Sequence, residues 1–175
     1  MFGHIHYVPL LRSKFGELRA LNTLPPEIRR FMTPIIEFLP TTFAGCSSRE
    51  DVEKVLEKLT KQFTSWRGQR VFLDFSPLRW DHHRLLETGT HPINGLCERL
   101  RRQGVWPVPL ITLKMAHDST LGQSIAELLR RHGTGACLRI SPAELAVTGG
   151  AQELVGRRLS QFGLSPKEVD LVVDR

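Results

Sequence analysis

Six short apolar runs, separated by longer segments that read as helices, constrain what this chain can fold into. They occupy residues 7–11, 33–38, 71–75, 107–113, 136–140 and 170–174. Their apolarity is continuous rather than alternating, the pattern of strands buried on both faces of a parallel sheet covered by helices. Such a succession of β–α units belongs to the alternating α/β class. In these folds functional groups gather at the carboxyl ends of the strands. Glu37, Asp74, Lys114, Arg139 and Asp174 stand at or near the ends of five of the six runs.

The intervening segments carry helix signals of their own. Val52, Val55, Leu56, Leu59 and Phe63 recur at helical spacing and predict an amphipathic helix over 51–63. Ser48 is placed to cap it, with Asp51 three residues on. Further helices are expected over 14–21, from Pro26, over 93–102 and 119–129, from Ser141-Pro142, and over 152–162. Pro107 and Pro109 fall inside the fourth run, so that strand is expected to become regular only at Leu110.

Right-handed crossovers would arrange six such units either as an open doubly wound sheet or as most of a (β/α)8 barrel. Charged groups spread over five strand ends favour the barrel, because an open sheet concentrates function at a switch point. A complete barrel needs about 250 residues, and this chain has 175. The expected fold is therefore α/β, a partial TIM-type barrel of about six parallel strands, incomplete relative to (β/α)8. It is expected as a single domain over residues 1–175, truncated or completed by a partner. Exposed edges at the first and sixth strands then call for a second copy, a partner chain or residues absent here.

Composition narrows the function classes. No apolar stretch approaches the roughly 18 residues of a membrane span, and the start lacks a basic leader followed by an apolar segment. A cytoplasmic protein without membrane contact is expected. Cys46, Cys97 and Cys137 form no CxxC pair, so they read as reduced thiols rather than a zinc or redox site. The net charge of +6 comes largely from paired arginines near 99–102, 130–131 and 157–158. Late in helices such cations complement the helix dipole, which makes solvated helix ends the first reading. A surface for nucleic acid or another polyanion is the second.

Residues 7–21 (YVPLLRSKFGELRAL), followed by 33–37 (TPIIE), resemble the opening of the phage-type beta family proteins. The likeness extends more loosely through Leu73-Asp74, Leu138-Arg139 and residues 171–174, the whole of this chain but about the N-terminal half of a typical member. It implies a barrel-type fold in phage, mobile-element or defence settings. It directs attention to Lys14, Glu17, Glu37, Asp74, Arg139 and Asp174 without giving any of them a role.

Two readings of function follow. In the first, the chain is a barrel-like module acting through protein partners or self-association. In the second, it is a metal-dependent phosphoester or nucleotide hydrolase. There Glu37, Asp74 and Asp174 serve as metal ligands for Mg2+ or Mn2+ or as acid/base groups, and Lys14, Lys114 and Arg139 hold an anion. The structural alternative for the same residues is an ion-pair layer or a set of helix caps. Asp81-His82-His83, with His91 and Asp118, contains metal-capable letters but reads as a solvated polar loop. No GxGxxG, GxxxxGKS or GxSxG motif is present.

Overall fold

In a computed structural model of the chain, residues 6–78, 91–117, 119–146 and 151–174 are described, without the side chain of Ala151. The Asp81-His82-His83 stretch and Asp118 lie outside them. Six parallel strands follow one another in chain order, as expected of a partial barrel: β1 (Leu10–Arg12), β2 (Ile35–Glu37), β3 (Arg70–Asp74), β4 (Trp106–Thr112), β5 (Ala136–Ile140) and β6 (Val169–Val173). The intervening α-helices are α1 (Phe15–Asn22), α2 (Pro26–Arg29), α3 (Arg49–Lys61), α4 (Pro92–Arg102), α5 (Thr120–His132), α6 (Pro142–Ala146) and α7 (Ala151–Gln161). The chain divides into two compact units, residues 1–107 and 108–175. No helix among the described residues is long and apolar enough to cross a membrane.

In the first unit β1 pairs with β2 and β2 with β3, all in parallel, with Leu10, Ile35 and Phe72 on one rung and Arg12, Glu37 and Asp74 on another. A parallel bridge between Tyr7 and Met32 prolongs the β1–β2 ladder backwards. Both faces of the central strands are covered: Ile35, Ile36, Val71, Phe72 and Leu73 are all buried. Helix α3 presents Val52, Leu56 and Leu59 to this core, the stripe its sequence period predicts. It starts at a reciprocal cap, in which Ser48 Oγ accepts the Asp51 N–H at 3.2 Å and the Asp51 carboxylate accepts the Ser48 N–H at 3.0 Å. The Ser48 hydroxyl, donating to the same carboxylate at 2.8 Å, is the main reason the Asp51 carboxyl lies below its ordinary pKa, and the Ser47 amide adds to it. Trp66 is fully buried, and its indole N–H donates to the Leu21 carbonyl at 3.3 Å.

The fourth strand accommodates its prolines by position. Trp106 N–H donates to the Gln69 carbonyl at 2.9 Å. Successive amides alternate in direction, so positions 107 and 109 point away from β3. The ladder to β5 begins only at Leu110, paired with Cys137. No ladder bond is therefore lost at either proline.

In the second unit β4 pairs with β5 and β5 with β6, again in parallel. Ala136, Cys137, Leu138 and Ile140 are buried, as are Leu121, Ile125 and Leu128 of α5 and Leu159 of α7. Helix α5 closes at Gly133, which adopts the left-handed conformation of a C-cap with φ 58°. Gly135 is constrained twice, by φ +67° and because a Cβ there would lie 2.2 Å from the Glu168 carbonyl oxygen. Gly135→Ala is expected to destabilise the chain by more than about 1 kcal/mol in urea denaturation. Gly16→Ala on α1, where a Cβ meets nothing within 4 Å, is expected to be neutral or slightly stabilising.

Candidate functional site

The carboxyl ends of the first unit's strands bring two of the sequence-predicted residues together. Glu37 and Asp74 occupy the same rung of β2 and β3, so their side chains leave the sheet on one face. Arg12 completes the rung on β1. The ladder runs one residue further, with Ser13 N–H donating to the Glu37 carbonyl and Phe38 N–H to the Asp74 carbonyl, both at 2.8 Å.

Asp74 is fully buried. Its Oδ1 accepts the Ser76 N–H at 2.9 Å and the Ser76 hydroxyl at 2.6 Å. A buried carboxylate without hydrogen bonds would be expensive, and the turn after β3 supplies them locally. Sequence reasoning found Asp74 but not Ser76; a serine two residues after an aspartate is the signal of such a turn. Phe38 and Phe75, the next residues along β2 and β3, stack with ring centroids 4.2 Å apart. The buried His91 meets Phe75 edge-on at 5.7 Å. Its Nδ1 accepts the Ile93 N–H at 3.1 Å as the N-cap of α4, which leaves the ring proton on Nε2.

Lys14 follows β1 as the exposed N-cap residue of α1. Glu17 reaches back from the first turn, its carboxylate accepting the Arg12 N–H at 2.7 Å. Ser13 and Thr42 hydroxyls lie 2.5 Å apart, so the loops after β1 and β2 are tied. A groove of about 660 Å³ opens beside them, with Phe15, Leu18 and Leu59 against its apolar side and Lys58 among its polar lining.

The second unit holds the remaining candidates. Arg139 donates through Nε to the Asp174 carboxylate at 2.9 Å and again through Nη2. Lys114 stands 3.9 Å from Glu144 and is largely exposed. The Glu144 carboxylate is mainly a cap for α6, accepting the Ser141 N–H at 2.8 Å and the Ser141 hydroxyl at 2.9 Å. The Ser141 amide bond is the main reason its pKa lies below the ordinary value. Among the described residues no group of three His, Cys, Asp or Glu side chains is placed to hold a metal ion.

Two arginines are not the solvated helix ends that their sequence positions suggest. Arg158 of α7 donates to the Leu113 carbonyl at the end of β4, and burial lowers its pKa. Arg99 of α4 forms an ion pair with Glu53 of α3. Each tie spans about forty-five residues of sequence, which no local pattern reports.

A profile of the Beta protein family matches residues 7–175. The chain belongs to that family. The match runs through both units and includes all six strands. No curated protein and no solved structure matches the chain. The chemistry of this member therefore rests on its own residues.

Asp74→Ala removes the acceptor that both Ser76 donors use and is expected to cost about 1–3 kcal/mol of stability in urea denaturation. Ser76→Ala keeps the amide donor and should cost less. Equal losses would place the main contribution of the turn in the serine hydroxyl.

Proposed function

We propose that this Beta protein family member is an association module, acting through contacts with further copies of itself in a phage or mobile-element setting. The observation that carries this reading is the exposure of β6. Leu171 and Val173 are in register with Leu138 and Ile140, so all four share one face of the β5–β6 pair. Leu138 and Ile140 are each 1% exposed, whereas Leu171 is 60% and Val173 49% exposed. Whatever covers β5 stops short of β6.

Covering a leucine or valine side chain fully is worth about 1.5–3 kcal/mol. The outer backbone edge of β6 adds a row of amide and carbonyl groups that pairs with any incoming strand. β1 has the same character at the other end of the strand order, with Leu10 43% and Tyr7 61% exposed. Two such edges on one chain favour head-to-tail contact between copies, β6 of one against β1 of the next. The charged strand ends lend less support to catalysis, since Asp74 is engaged by Ser76 and Asp174 by Arg139.

Sedimentation velocity across a wide concentration range tests this. The account expects mass to rise with concentration, and the doubly substituted Leu171→Lys, Val173→Lys chain to remain a monomer with unchanged circular dichroism. A wild-type chain that stays monomeric throughout, or assemblies that survive both substitutions, would contradict it.

A further inference from the structure

We propose that the connections entering β2, β3 and β4 in the first unit form a binding surface for single-stranded nucleic acid. Three segments make it: residues 29–34, 65–70 and 101–106. Together they contain Arg29, Arg30, Arg67, Arg70, Arg101 and Arg102, and not one aspartate or glutamate. Glu27 on α2 and Glu98 on α4 stand just before the first and third segments, while Glu17, Glu37 and Asp74 lie at or after the carboxyl ends of β1, β2 and β3.

The three segments are fastened to one another. Arg67 Nε donates to the Gln103 carbonyl at 3.0 Å. Gly68 N–H donates to the Gly104 carbonyl at 2.8 Å, and Trp106 N–H to the Gln69 carbonyl at 2.9 Å. The Arg29 guanidinium donates to the Ser65 carbonyl, joining the segment before β2 to the one before β3. The arginines therefore belong to a single patch rather than to three separate loops.

The helix dipole explains only part of this charge. Arg29, Arg101 and Arg102 lie in the last turns of α2 and α4, where a cation is favourable. Arg67 and Arg70 lie outside any α-helix and gain nothing from it. Nor does the dipole explain Trp106, which is 58% exposed while Trp66 is fully buried. Its amide bond to Gln69 sets Trp106 beside Arg70 on the neighbouring strand.

An exposed indole among six arginines has the two components of sequence-tolerant strand binding. The arginines neutralise phosphates and release counterions, and the ring offers a stacking face to an unpaired base. A duplex keeps its bases stacked on one another and leaves the indole without a partner.

Fluorescence anisotropy with labelled oligo(dT) and oligo(U) tests the proposal on the full chain. Binding is expected in the micromolar range at low salt, with log K falling linearly against log salt at about −0.7 per phosphate neutralised. Trp106→Ala is expected to weaken binding about tenfold. The doubly substituted Arg67→Ala, Arg102→Ala chain should both bind more weakly and flatten the salt slope by roughly 0.7 for each arginine lost. All three changes lie at exposed positions, and circular dichroism checks that folding is retained. Tighter binding of one polymer identifies the support as RNA or DNA. The proposal is overturned if neither oligonucleotide binds, if the substituted chains bind as the parent does, or if a duplex binds equally tightly without regard to Trp106.

Discussion

A parallel strand covered on both faces has no place along its length for an unpaired polar side chain, and much of this structure follows from that constraint. In β3 the residues from Val71 to Asp74 are all buried, facing both ways from the sheet, and so is Phe75 after it. Each large apolar side chain withdrawn from water contributes about 1.5–3 kcal/mol, and any charge placed among them without partners would cancel several such gains. Charge is therefore driven to the strand ends. Because the pairing is in register, the ends of neighbouring strands coincide, and Arg12, Glu37 and Asp74 arrive on a single rung. In the second unit the corresponding polar end is the Arg139–Asp174 pair.

The same constraint made the fold legible from the sequence. Continuous apolar runs announced the strands, and the run at 136–140 coincides with β5. The run at 33–38 overstates β2, because Thr33, Pro34 and Phe38 are buried without belonging to the three-residue ladder. Burial is what an apolar run reports; pairing depends on the neighbour. The prolines of β4 show the reverse case, in which a residue that argues against a central strand is tolerated because the β5 ladder begins after it. The site was legible in its acidic members and not in their partners. Ser76 and His91 contribute through turns and caps whose geometry exists only once β3 and α4 are in place. Arg99 and Arg158 were indistinguishable by sequence from other late-helix arginines, since Glu53 and the Leu113 carbonyl are distant along the chain.

Strand direction also sorts the charges of the first unit. Glu37 and Asp74 stand where β2 and β3 end, and six arginines gather where β2, β3 and β4 begin. A polar arrangement of this kind offers separate surfaces without any change to the core. Association through the exposed strand edges and contact with a polyanion at the arginine-rich end use different residues. Leu171 and Val173 take no part in the second, and Trp106 takes no part in the first.

The central claim is that two-sided burial holds the inner strands while β6 is covered on one side only. Amide hydrogen exchange followed residue by residue at several protein concentrations addresses it directly. The account predicts strong protection throughout β3 and β5, weaker protection in β6 at low concentration, and a rise in β6 protection as concentration increases. Amides of β6 as protected as those of β5 at the lowest concentration, with no dependence on concentration, would contradict it.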